Sequence, residues 1–227
     1  YEISACLVGS EMCIRDRMTT PAENVVVMTP VYNMFFDSIL DNGRNVLESR
    51  LVYNDRKYSI DFADLEEKLA NPQTSMMILC NPHNPTGNIW DRDILDKIGK
   101  LCKKYHVLVV SDEIHCDITK PGISYIPFAS VSDVCRDNCI TCVAPTKTFN
   151  IAGIQTAAVI VADENIRHRV ITGLETDHLA ETNVFAAGAA AAAYSEGGEW
   201  LDGLREYLWE NRQFAEKFIK ERIPQIK

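Results

Sequence analysis

From Asn24 onward, short apolar runs alternate with longer stretches in which apolar positions recur every three or four residues. Val25-Val-Val-Met28 is a continuous apolar run closed by Thr29-Pro30, the pattern of a buried strand leading into a turn. A helix is predicted from Val31 to Asn42, stopped by Gly43, and weak strand character follows from Val46 to Tyr53. Asp61 can cap a helix over Phe62 to Ala70, which Asn71-Pro72 ends. Ser75-Met-Met-Ile-Leu-Cys80 reads as another buried strand. Asp91 then caps the clearest helix, whose Ile94, Leu95, Ile98, Leu101, Cys102 and Tyr105 form one stripe that needs a sheet to cover it.

Strands are predicted again at His106–Val110, Cys139–Val143 and Thr156–Ala162. The last third reads as helical, over Glu164–Thr172, Asn183–Ser195 and Trp200–Ile223. Strands separated by helices predict an α/β fold, a three-layer sandwich with a mostly parallel sheet and helices on both faces. The alanine run Ala189–Ala193 suits a helix packed closely on a neighbour. The leading stretch, 1–17, does not fit this alternation. Its Ser4-Ala-Cys-Leu-Val-Gly-Ser-Glu-Met-Cys-Ile-Arg-Asp-Arg17 is similar to a translated sequencing-adapter read, so it is expected to be non-native. The alternative for that stretch is an authentic first strand over Ile3 to Val8.

Composition narrows the class. The chain has 227 residues, 46% hydrophobic and 24% charged, an ordinary balance for a chain that folds around its own core. A net charge of −9, with Lys and Arg scattered, argues against nucleic acid as a partner. The longest apolar stretch, Val184 to Tyr194, is too short to span a bilayer. Eight cysteines raise the question of a zinc or redox module at Cys135, Cys139 and Cys142. Cys139 and Cys142 fall three apart on a predicted strand, however, and would point to opposite faces. Buried thiols in a reducing cytoplasm are the better expectation, with no metal site.

Ligands of open α/β sheets bind beyond the carboxyl ends of the strands. Past the four central strands lie Pro30-Val-Tyr32, Asn81-Pro-His-Asn-Pro-Thr-Gly87, Ser111-Asp-Glu-Ile-His-Cys-Asp117 and Ala144-Pro-Thr-Lys-Thr-Phe-Asn-Ile-Ala-Gly153. An aromatic ring, an amide, a carboxylate and a lysine thus gather on one rim. In order and approximate spacing these segments resemble the fold-type I pyridoxal-phosphate enzymes of the class I/II aminotransferase superfamily. Within it they are most similar to the cystathionine β-lyase, or cysteine-S-conjugate β-lyase, branch. The resemblance runs from about Met18 to the end of the chain.

That resemblance implies a role for each residue. Lys147 would form the Schiff base with the cofactor aldehyde and then act as general base at the substrate Cα. Asp112 would hold the proton on the pyridine nitrogen. Asn84 would donate to the ring's phenolate oxygen, with His115 near the same atom, and Tyr32 would stack on the ring. Thr146 is a candidate phosphate contact. Each residue also has a plainer reading: a solvated lysine, a turn-capping aspartate, a turn-shaping asparagine and a core tyrosine.

Gln155 stands where many aminotransferases place a phosphate-gripping arginine, a departure shared with the lyase branch. The implied reaction removes the Cα proton and expels a thiolate from Cβ, giving a thiol, pyruvate and ammonia from cystathionine or another cysteine S-conjugate. An aminotransferase acting on an amino acid and a 2-oxo acid shares the early steps and stays open. So does, in a different class, a non-catalytic binding domain. The resemblance further implies a homodimer and a division into a partial cofactor-binding large domain, 18–197, and a long helix, 198–227, leading to a small domain. Both ends are expected to be cut, so the chain as it stands is expected to be weakly active or inactive.

Overall fold

The computed structural model describes residues 2–4, 14, 17–176, 178–179 and 181–226. The strands are β1 (Glu2–Ser4), β2 (Asn24–Thr29), β3 (Asn45–Arg50), β4 (Val52–Asn54), β5 (Lys57–Ser59), β6 (Thr74–Cys80), β7 (Leu108–Asp112), β8 (Cys139–Val143) and β9 (Ala157–Ile160). The helices are α1 (Met34–Leu40), α2 (Phe62–Leu69), α3 (Arg92–Lys104), α4 (Asp133–Asp137), α5 (Pro145–Thr148), α6 (Glu164–Thr176), α7 (Ala186–Glu196) and α8 (Gly198–Arg222).

Among the described residues, seven strands form one sheet in the order β1-β9-β8-β7-β6-β2-β3. β3, β2, β6, β7 and β8 run parallel, and β9 is antiparallel to both of its neighbours. The mostly parallel α/β sheet expected from the alternation is therefore present. Of the leading stretch, 2–4 pair with β9 at the sheet edge and Ile14 is buried in the core, while 1, 5–13 and 15–16 lie outside the described residues.

Strand alternation explains the two apolar layers. Val25 and Val27 of β2 face one side with Phe35 and Ile39 of α1 and Val170 and Leu174 of α6. Val26 and Met28 face the other with Leu65 and Leu69 of α2 and Leu95, Ile98 and Cys102 of α3. Burying each large apolar side chain contributes roughly 1.5–3 kcal/mol. α3 is well delimited: the Asp91 carboxylate accepts the Ile94 N–H at 2.9 Å, and Lys103 and Lys104 sit in the last turn, favourable against the helix dipole. The Asp61 carboxylate caps α2 in the same way, accepting from Ala63 N at 3.0 Å and Asp64 N at 3.2 Å.

The weak strand predicted over Val46–Tyr53 is two strands. β3 pairs with β2 only to Arg50; the Leu51 N–H then donates to Thr29 O at 2.8 Å and the chain turns into the β4–β5 hairpin. Asp55 and Arg56 at the tip both have positive φ, as a tight hairpin requires. No glycine stands at the tip, so no hairpin signal is visible along the chain. The predicted helix over Val31–Asn42 is shorter, Met34–Leu40, which leaves Pro30–Asn33 as a loop on the rim.

The thiols follow the strand argument. Cys139 belongs to one apolar layer and Cys142 to the other, and among the described residues no group of three metal-binding side chains comes together. None of the helices among the described residues is long and apolar enough to cross a membrane.

Candidate active site

The carboxyl ends of β2, β6, β7 and β8 are adjacent in the sheet, so the four chemically promising loops are adjacent too. Register aligns them closely, with Cys80 opposite Asp112 and Asp112 opposite Cys142. Three strand spacings, about 14 Å, separate the loop after β2 from that after β8. The order across the rim is Tyr32, Asn84, Asp112 with His115, and Lys147.

Asp112, the last residue of β7, is 6% exposed. Its Oδ1 accepts the Ile114 N–H at 3.1 Å, the turn-capping role anticipated for it. That is a single donor for a group that can take about four. Burial pushes its carboxyl up to about 6, helped by the neighbouring Glu113 carboxylate and opposed by the Ile114 N–H and the Lys147 ammonium. A cationic N–H facing this carboxylate would supply the partner it lacks.

Lys147 lies on α5, a single turn of four residues with Pro145 in its first turn. Its side chain is exposed although Thr146 and Thr148 on either side are buried. The turn closes at Asn150, which takes the left-handed conformation that Asn tolerates, with the Ile151 N–H donating to Thr146 O at 3.0 Å. The Lys147 charge reaches both Asp112 and His115. His115 is half-buried, and burial together with that charge holds its pKa below the ordinary histidine value, so it is neutral at pH 7.

Tyr32 is partly exposed and stands edge-on to the buried Phe35 ring at 5.7 Å. Asn84 is half-buried, held by its backbone N–H on Cys80 Sγ at 3.4 Å, and its amide makes no hydrogen bond among the described residues. Thr146 sits at the base of α5 with its hydroxyl likewise unbonded among the described residues. Gln155, in the left-handed region, ends the short turn over Ala152–Ile154 and leads into β9. The structure thus brings Lys147, Asp112 and His115 into electrostatic contact and sets Asn84 and Tyr32 on the next two loops of the same rim.

Three supporting residues were not anticipated. His83 is buried, with Nε2 2.9 Å from Pro30 O and Nδ1 3.3 Å from Cys80 O, so it ties the Tyr32 loop to the Asn84 loop. Asn81 donates its backbone N–H to Asp112 O at 3.0 Å and shares hydrogen bonds with Tyr125, whose hydroxyl donates to Asn81 O at 2.8 Å. Glu113, pointing away from Asp112 through strand alternation, accepts from Ser111 Oγ at 2.9 Å and from Phe128 N–H at 3.0 Å. Only their place inside the two motifs could have marked them.

A family model for aminotransferase class I and II matches residues 5–225. The chain belongs to that family. Cystathionine beta-lyase PatB of Bacillus subtilis is 46% identical over 209 residues, 92% of this chain and 54% of PatB. Cystalysin from Treponema denticola, whose crystal structure contains a pyridoxal 5'-phosphate cofactor, superposes with a TM-score of 0.96 at 32% identity. That match covers 99% of this chain and 57% of cystalysin. The PLP-bound C-S lyase from Staphylococcus hominis gives a TM-score of 0.91 at 30% identity, covering 98% of this chain and 57% of the lyase. The chain spans about half the length of the curated relatives it matches.

Proposed function

We propose that the chain is part of a pyridoxal-phosphate-dependent carbon–sulfur β-lyase, which converts cystathionine or another cysteine S-conjugate, with water, to a thiol, pyruvate and ammonia. The observation that carries this reading is the exposed amine of Lys147 beside the buried, under-bonded carboxylate of Asp112. The likeness to PatB and to the Staphylococcus lyase supports carbon–sulfur cleavage over amino transfer. We further propose a homodimer in a reducing cytoplasm. Val184 and Phe185, both largely exposed, leave apolar surface for a second copy, and the buried thiols of Cys102, Cys135 and Cys139 suit reducing conditions. Residues 18–197 form the cofactor-binding unit, with 198–227 as a helical arm.

When bound, pyridoxal phosphate supplies an aldehyde and a protonated ring that draws electrons from the substrate Cα. Lys147 Nζ would hold the cofactor through its aldehyde carbon and, once free, would serve as the base that takes the substrate Cα proton. Asp112 would accept the ring N–H and keep that proton in place, because a carboxylate against a cation favours the charged form. The Asn84 amide would donate to the ring oxygen, with His115 near the same atom. Tyr32 would cover one face of the ring, and the Thr146 hydroxyl would donate to the phosphate.

Borohydride reduction of the purified chain with pyridoxal phosphate, followed by peptide mass mapping, tests this reading. The expected result is an adduct confined to Lys147 and lost in Lys147→Ala. An adduct spread over surface lysines, or unchanged in Lys147→Ala, would overturn it.

A further inference from the structure

A one-turn helix has no stability of its own, since helix nucleation is unfavourable and only neighbours can hold it. The direction of Lys147 is therefore imposed on α5 from outside. One contact does so from the loop after β7: the buried Thr148 hydroxyl donates to Asp117 Oδ2 at 3.0 Å. That loop is itself held on its far side. Arg205 of α8 donates to Thr119 O at 3.0 Å and Thr119 Oγ1 at 2.7 Å, and also to Lys120 O and Ile123 O, each at 3.3 Å. Within the loop the Ile118 N–H donates to His115 O at 3.0 Å, closing a turn around Asp117. A charge-assisted hydrogen bond from a buried hydroxyl to a carboxylate is stronger and more directional than a neutral one.

We propose that Asp117 is a positioning residue for Lys147: it grips Thr148 and so turns the amine toward the end of β7, where the cofactor aldehyde is captured. This rests on the reading of Lys147 as the cofactor-binding lysine. Neither Asp117 nor Thr148 touches the reacting atoms; they act through the helix between them.

The test uses Asp117→Asn, Thr148→Val and Thr148→Ser in the full chain, with three measurements. The first is the rate at which Lys147 captures pyridoxal phosphate in the presence of cyanoborohydride. The second is acetylation of Lys147 by acetic anhydride relative to the exposed Lys217 of α8. The third is hydrogen exchange at the amides that close α5, those of Phe149 and Ile151, which are bonded to Pro145 O and Thr146 O.

Asp117→Asn and Thr148→Val should each slow capture on the order of tenfold, because misplacing a reacting group is costly while indiscriminate acetylation needs no alignment. Relative acetylation should change by less than about twofold. The amides that close α5 should exchange faster in both variants, Thr148→Ser should behave as the parent, and the double variant should be no slower than either single one. Unchanged capture in either variant, or Thr148→Ser as slow as Thr148→Val, would overturn the proposal. If the parent captures no cofactor at Lys147, the cofactor reading fails instead, and exchange alone decides. Faster exchange in Asp117→Asn would then support the link, and unchanged exchange would refute it.

Discussion

Asp112→Asn separates what the carboxylate at the end of β7 does for the fold from what it does for a cofactor. In the folded chain its carboxyl is held at about 6, against an ordinary 3.8, with burial the largest cause. A folded-state value above the unfolded one means that the folded protein keeps a proton the unfolded chain has released. Stability is therefore undiminished below 3.8, falls as pH rises from 3.8 to about 6, and stays reduced above that window. The gap between the two values corresponds to about 3 kcal/mol.

Asn keeps an oxygen for the Ile114 N–H and carries no charge to desolvate. The cofactor-free variant should accordingly be more stable than the parent, only slightly near pH 4 and by about 3 kcal/mol near pH 8. Urea unfolding at the two pH values, with a common slope, measures the difference. The same substitution should weaken retention of pyridoxal phosphate, since no anion would then face the ring nitrogen. A stability difference equal at both pH values, or a less stable variant near pH 8, would refute the reasoning.

Further outcomes follow from packing, capping and burial. A Cβ at Gly197 would collide with Ala193 O and the Phe149 ring beside α5, so Gly197→Ala should lose about 1–3 kcal/mol in chemical denaturation. Gly203→Ala, in open space on α8, should instead gain up to about 1 kcal/mol. Asp61→Ala removes the cap of α2 and should cost about 1 kcal/mol by the same assay. Iodoacetamide at pH 8 should label Cys80, Cys102, Cys135, Cys139 and Cys142 only after unfolding, and a chelator should leave the melting temperature unchanged. A chelator-dependent fall in melting temperature would restore the zinc reading.

Much of the fold could be read from the sequence because its parallel strands are buried on both faces and appear as unbroken apolar runs. Val25–Met28, Ser75–Cys80 and Cys139–Val143 are such runs, and α3 shows a full stripe between clear boundary signals. The β4–β5 hairpin was hidden because Asp55 and Arg56 adopt positive φ without a glycine to announce it. α4, five residues with one buried side chain, was too short to show a period. At the rim, the motifs located Tyr32, Asn84, Asp112, His115, Thr146 and Lys147, whose side chains carry recognisable chemistry. His83, Asn81 and Asp117 act by bridging segments that only the folded sheet brings together, and no local pattern encodes a bridge.

The strand order has a consequence for how the chain becomes competent. Tyr32, Asn84, Asp112 and Lys147 lie at or just past the ends of four different strands that are neighbours in the sheet but are separated along the chain by whole crossover units. No pair of them can be assembled by a single turn or hairpin forming early. Parallel pairings over long sequence separations are slow to close, so the rim takes shape only as the central sheet completes. Arrival of the rim geometry is then a reporter of the final docking of β8 beside β7, and partly folded chains should not possess it.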